Sequence, residues 1–325
     1  MVSFIEAFPK LYHFTNWTGV TGILKSNSLW ATHCRFLNDK SEYQFATYFL
    51  ESKIESAVMK FVDQQFVGNS NAANYIQTNG GKEFQTKKLV TDIVNSLYKM
   101  HGDDFYVSSF CGFSESSYES QHGLLSQWRG YGGILGFCIV LDTSRASQLL
   151  KSEEASFVPT FATYIADVVY SNEIERLETE FSQQIADLAD YVRDFLNATV
   201  YRAQTPTSFK AQIAFQQIAT RYKHRGFSEE QEVRIVCSPM TKKEELNAPH
   251  VVAKTNGEKA KPILYRESKS LSVPYIELFG QGFGPLPIER IIVGPGRQAQ
   301  EAKDLLERMI GERKIDVTLS DIPYV

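Results

Sequence analysis

At 325 residues the chain has room for one large domain or two ordinary ones. Apolar residues make up 43% and charged residues 22%, which excludes a disordered chain and supplies a sizeable core. The net charge is −4 and no segment carries a dense Lys/Arg footprint, which argues against a protein that coats duplex nucleic acid.

The four cysteines, Cys34, Cys111, Cys138 and Cys237, lie far apart and form no CxxC or CxxH pairing. Three of them fall inside apolar strand-like runs, so core thiols are expected and a metal site is not. The N-terminal MVSFIEAFPK lacks a basic region followed by a long apolar run, and no apolar stretch reaches the ~18 residues of a membrane span. The expectation is a soluble, cytoplasmic protein with no membrane partner.

In chain order, LYHFT (11–15) alternates as a strand, with Tyr12 and Phe14 on one side and Leu11, His13 and Thr15 on the other. A helix follows with Trp17, Val20, Ile23 and Leu24 on one face, then a turn at 26–28 and a short strand, LWATH (29–33). Asp39 or Ser41 is suited to cap the next helix, which runs to about Phe66 with Phe45, Phe49, Ile54, Val58 and Phe61 as its buried stripe. Residues 68–81 read as a polar exposed loop, and a further helix spans about 82–101.

Two apolar strands, FYVSSFCGF (105–113) and ILGFCIVLD (134–142), flank SQWRGYGG (126–133). A linker that only turned the chain would use small polar residues and leave aromatics to the core. Here Ser126, Trp128, Arg129 and Tyr131 stand among glycines that let backbone come close to a ligand. Arg129 offers a planar fork for carboxylate or phosphate, while Trp128 and Tyr131 offer flat faces for a ring. The plain alternative is an arginine and a tryptophan that pack a loop onto the sheet.

After Asp142 come a short helix and the β-rich run 161–170. A long helix capped by Asn172 then carries Ile174, Leu177, Phe181, Ile185, Leu188, Val192 and Leu196 at spacings of three and four. A second helix runs from Pro206–Ser208 to 224–227. The pair forms an αα-hairpin or, through 173–223, a homodimer contact. Strands resume at 232–236, 274–279, 289–294 and 316–320, with an amphipathic helix at about 298–310. Strands and helices do not alternate regularly. The expected fold is therefore a mixed α+β domain over 1–325, with a mostly antiparallel sheet and a helical segment at about 172–224 inserted between strands.

Two further groups bear on chemistry. His13 and Thr15 share a strand face and could meet a ligand's hydroxyls; a lone histidine is otherwise a structural residue. In GFSEEQEVRIV (226–236), a strand starting at Glu230 would line up Glu230, Glu232 and Arg234. Carboxylates at i and i+2 stand roughly 6–7 Å apart, close enough for one to hold a hydroxyl while the other orients a nucleophile. The competing reading is a solvent-exposed strand in which Arg234 neutralises Glu232.

The set YHFT (12–15), GILKSNSLWATHCRFLND (22–39), LLSQWRGYGG (124–133), GFCIVLD (136–142), EEQEVRIV (229–236) and DIPY (321–324) resembles a widespread bacterial family catalogued as a domain of unknown function. Its order also resembles ADP-ribosyltransferase-like architectures: an early strand with a histidine, a middle aromatic and serine segment, and a late strand opening with glutamate. That resemblance implies that His13 and Thr15 hold a ribose of NAD, that Glu232 stabilises an oxocarbenium-like transition state, and that Glu230 faces the acceptor. Arg129, with Arg35, would take the pyrophosphate, and Trp128 or Tyr131 the nicotinamide. Val233 stands where members of the family often have tryptophan.

The implied activity is that of an NAD-consuming transferase or glycohydrolase of defence or toxin type, with NAD as substrate, no metal, and an acceptor macromolecule left open. The alternative is a non-catalytic nucleotide or small-ligand sensor in a stress or defence pathway, with Glu232 committed to Arg234. Hydrolysis of a nucleic-acid phosphodiester fits the acidic balance least.

Overall fold

The structure, a computed structural model, describes residues 3–37, 42–66, 70–101, 105–133, 135–157, 162–239, 261–268, 271–280 and 282–323. The chain divides into two compact units: residues 1–33, 105–167 and 228–325 form one, and residues 34–104 and 168–227 form the other.

The first unit is built on a mixed, mostly antiparallel sheet, as expected for this α+β chain. Its strands are β1 (Lys10–Asn16), β2 (Leu29–His33), β3 (Tyr106–Cys111), β4 (Gly136–Asp142), β5 (Ala162–Asp167), β8 (Glu232–Ser238), β9 (Leu264–Ser268), β10 (Leu271–Leu278), β11 (Ile288–Val293) and β12 (Asp316–Leu319). They follow the order β12-β11-β4-β1-β3-β2-β10-β9, with β8 pairing β3 and β5. Among the described residues, only β11 and β12 pair in parallel in this sheet.

Alternation along these strands creates two faces. One carries Leu11, Ile139, Ile291, Phe110, Val233, Ile235 and Ile276. It is covered by α2 (Trp17–Ser26), α8 (Thr143–Glu154) and α12 (Ala299–Ile310) through Val20, Ile23, Ala146, Leu150, Ala302 and Leu306. The helices are set by caps that the sequence carries: Asn16 accepts from the Gly19 N–H and Asp142 from the Arg145 N–H, each satisfying an orphan donor of a first turn. The other face carries Tyr12, Phe14, Cys111, Cys138, Val140 and Ile292.

On one edge of β3 two strands share the pairing. β1 meets it only at Tyr12↔Cys111, while β2 meets it at Thr32↔Val107 and His33↔Tyr106. Between these contacts, Ser108–Phe110 form no ladder pair on that edge among the described residues.

The second unit is helical: α3 (Glu42–Phe66), α4 (Ser70–Thr78), α5 (Gly81–His101), α9 (Ile174–Glu180), α10 (Ser182–Tyr201) and α11 (Phe209–Ala219), with the short parallel pair β6 (Val169–Tyr170) and β7 (Tyr222–Lys223). Its core joins Ala46, Leu50, Ile54, Val58 and Val62 of α3 to Val90, Val94, Leu188, Val192 and Phe215. That stripe, spaced by four, keeps Ile54 and Val58 of the expected one, with Phe49 packed against it, but not its ends: Phe45 is exposed, and Phe61 lies under the Arg193 guanidinium. The apolar faces of α10 and α11 are spent inside this unit, as an αα-hairpin requires.

Three further expectations are corrected. The polar segment 68–81 contains α4, whose Ile76 packs on the helical core. The long helix expected from Asn172 is two helices interrupted at Phe181, a fully buried residue with φ −99° and ψ 6°. Its first residue is preceded by Glu173, not capped by Asn172; the Glu173 carboxylate instead accepts from the Tyr170 N–H at 2.7 Å. The proposed caps Asp39 and Ser41 lie outside the described residues.

Candidate functional site

SQWRGYGG is helical, not a loop. α6 (Tyr118–His122) leads into α7 (Leu125–Tyr131), which lies on the Phe14 face of the first unit's sheet. The tryptophan accounts for three glycines outside the motif. Trp128 is only 5% exposed, and its Nε1 donates to the His122 carbonyl at 3.1 Å. A Cβ placed on Gly123, Gly136 or Gly294 would come within 2.3, 2.8 and 2.9 Å of the indole ring. Phe14 meets the ring edge-on at 4.7 Å. Glycine is needed at these three positions because the indole fills the space where a side chain would start. Trp128 is therefore an anchor and has no face left for nicotinamide, which corrects the expected ligand platform.

The neighbours of Trp128 differ. Arg129 is exposed, and among the described residues no hydrogen bond or ion pair holds it. Tyr131 is 41% exposed. Ser126 presents a buried hydroxyl with no hydrogen-bond partner among the described residues. Arg35 lies in the 3-10 turn Cys34–Phe36 of the second unit, where it is exposed.

Glu232 opens β8 and Arg234 follows it on the same face, as alternation requires. Glu230 does not join them. It ends a 3-10 turn (Arg225–Glu230), and Gln231 takes a left-handed φ of +43° before the strand begins. That residue breaks the alternation on which the three-residue face depended. Nor is the pair at the surface: Glu232 is 5% and Arg234 3% exposed. Arg234 donates from Nε to Glu232 Oε1 at 2.7 Å and from Nη2 to Oε2 at 2.9 Å, a bidentate ion pair inside the sheet.

His13 donates from Nδ1 to the Ser109 carbonyl at 3.0 Å, on the stretch of β3 that forms no ladder pair on that edge among the described residues. A carbonyl only accepts, so Nδ1 carries the proton and Nε2 keeps a lone pair in the neutral ring. Burial pushes the His13 pKa down, opposed in part by the bond to Ser109, and the ring packs 5.4 Å from Phe110. The Thr15 hydroxyl sits against Gly19, where any Cβ would come within 1.9 Å of its Oγ1.

These positions do not converge. Tyr12, Cys111 and Glu232 are directly opposite one another across β1, β3 and β8, and so share a face. His13 and Thr15 point to the other face, with Leu11 and Phe110, beneath the covering helices. The strand β3 runs between His13 and the Glu232–Arg234 pair. α7 and the pair share one face of the sheet, α7 over β1 and β4 and the pair on β8; His13 and Thr15 lie on the other. The glycines that cage Trp128 were the residues missed: Gly123 and Gly294 lie outside the motif that draws attention.

No group of three or more His, Cys, Asp or Glu side chains arranged to hold a metal ion occurs among the described residues. No helix among them is long and apolar enough to cross a membrane. The four cysteines are free and buried, and burial pushes the Cys237 thiol up to about 11.

Residues 127–235 match a family described as a protein of unknown function (DUF2971). The match begins in α7 and ends in β8, so it takes in both the caged tryptophan and the buried ion pair; the motifs at 12–39 and 321–324 lie outside it. No curated protein and no solved structure gives a significant match.

Proposed function

We propose that the protein is a non-catalytic sensor of a nucleotide or similar small ligand, acting in the cytoplasm in the stress or defence setting that the family resemblance suggests. The observation that carries this reading is the buried Glu232–Arg234 pair. Both carboxylate oxygens accept from one guanidinium, which leaves the carboxylate neutralised in place rather than poised beside an anomeric carbon. Stabilising an oxocarbenium ion needs a carboxylate whose charge is directed at the sugar. His13 supports the same reading, since it is committed to Ser109 and lies on the opposite face. For recognition, a phosphate needs a cationic fork without an internal partner, and the exposed Arg129 of α7 is one such group. Free buried cysteines fit a reducing compartment.

Calorimetry with NAD and ATP, run alongside an assay for nicotinamide release, tests the reading. Binding without release is expected, and the exchange Glu232→Arg with Arg234→Glu should keep the fold and the binding. Nicotinamide release that vanishes in a folded Glu232→Gln variant would overturn the sensor and establish the NAD-consuming transferase in its place.

A further inference from the structure

Leu29 and Ala31 of β2 point into the main core, so Trp30 and Thr32 point out of the opposite face. β10 brings Glu277 opposite Trp30 and Tyr275 opposite Thr32. β9 then sets Arg266 opposite Val273, on the same side as Tyr275 two residues away. The resulting cluster has definite geometry. The Arg266 guanidinium lies 5.3 Å over the Trp30 ring, and its Nη2 donates to Thr32 Oγ1 at 3.0 Å. The Trp30 and Tyr275 ring centroids are 4.6 Å apart at an interplanar angle of 38°. Trp30 stays 39% exposed.

Arg266 is unbalanced. Among the described residues no carboxylate ion-pairs with it, and its Nε is buried without a hydrogen-bond partner. Burial pushes the guanidinium pKa down, with the neighbouring Tyr275 only partly opposing that. A half-buried charge with no counter-ion costs free energy that a bound anion would recover. The hairpin that carries it is pinned at both ends. Lys261, just before β9, ion-pairs with the buried Glu153, whose other oxygen accepts from the Phe279 N–H at 3.0 Å, just after β10. A site held this way loses little conformational freedom on binding.

We propose that the face of β2, β10 and β9 seats a mononucleotide, with its base against Trp30 and Tyr275 and its phosphate on the Arg266 guanidinium. This placement rests on the sensor reading above and names the surface that does the sensing. Aromatic faces beside an uncompensated guanidinium select a ligand that is planar at one end and anionic at the other. Glu277, beside Trp30 on the same face, repels a phosphate chain running across the strands, which favours a single nucleotide over a strand of nucleic acid.

The test is calorimetric titration of the full chain with AMP, ATP and a ten-nucleotide oligo-dT, on wild type, Arg266→Gln, Arg266→Lys, Trp30→Ala and Arg129→Ala, with thermal unfolding of each. AMP and ATP should bind the wild type. Arg266→Gln and Trp30→Ala should each weaken binding about tenfold or more at unchanged melting temperature. Arg266→Lys, which keeps the charge and loses the fork, should fall between. If binding is lost only in Arg129→Ala, or in none of the variants, the placement is overturned while the sensor reading stands. Tighter binding of oligo-dT than of AMP overturns the mononucleotide. No binding of AMP or ATP overturns the placement, and the reading falls with it only if NAD also fails to bind.

Discussion

Trp128 and Trp30 stand on the same face of one sheet and meet opposite fates. Trp128 is packed against glycine backbone and an edge-on phenylalanine, and its N–H is spent on a carbonyl. Trp30 keeps part of its ring open beneath an arginine without a carboxylate. The arginines divide the same way, since Arg234 is closed on Glu232 and Arg266 is not closed on any acid among the described residues. Glycines beside an aromatic in sequence need not be the ones that cage it: Gly130, Gly132 and Gly133 follow Trp128, but Gly123, Gly136 and Gly294 surround the indole. The open tryptophan is flanked by ordinary strand residues and announces nothing.

The contrast can be broken by mutation. Trp128→Ala should destabilise the first unit by about 3–5 kcal/mol in denaturant unfolding, as for a large buried aromatic, and Trp30→Ala by much less. Similar losses from the two would dissolve the distinction. Next in size is Glu232→Gln, which strands the buried Arg234 charge and should cost roughly 3–5 kcal/mol. Glu232→Leu with Arg234→Met should recover most of that loss; a single variant that is tolerated would mean that the pair is not closed as described.

Gly294→Ala should cost roughly 1–3 kcal/mol, because the new Cβ meets the indole and the Gly136 carbonyl. Pairing it with Trp128→Leu should shrink the penalty if the indole is its cause. The smallest effect is on pH dependence. His13 has a depressed pKa in the fold, so the unfolded chain binds more protons between the two values and stability rises with pH across that window. The His13 contribution should be complete above the ordinary histidine pKa of about 6.5 and should fade as pH drops through the lower folded value. In His13→Gln, the slope of stability against pH below about 6.5 should flatten relative to wild type.

Much of the sheet was legible because its strands are apolar and alternate: LYHFT, GFCIVLD, EVRIV and ERIIV all fall in strands of the first unit. β9 was not, since LYRES is polar and gains its place by pairing with β10. The local fact that decided the Glu230 face, a left-handed Gln231, leaves no mark in composition because glutamine has no preference for that conformation. The Glu232–Arg234 pairing was readable from spacing i to i+2, but its burial was not. It follows from β8 being flanked by β3 and β5, which is a property of the assembled sheet. The helix over 125–131 was hidden by Gly130, Gly132 and Gly133, which read as a loop, while the glycines with a tertiary role stand elsewhere: Gly123, Gly136 and Gly294 make room for the indole.

The interleaving of the two units along the chain has a consequence for synthesis. Every residue of the helical unit has been made once Phe227 is added. The sheet unit must wait for 228–325, which supply β8 to β12, and at about 5–20 residues per second that is a delay of about 5–20 s. During it, β3 and β4 have emerged without β8 and β11, which complete their edges, while a helical unit whose contacts lie within its own two segments can already be closed. A ribosome stalled far enough beyond residue 227 for the helical unit to have cleared the exit tunnel should therefore carry a protease-resistant helical unit and a protease-sensitive half-sheet.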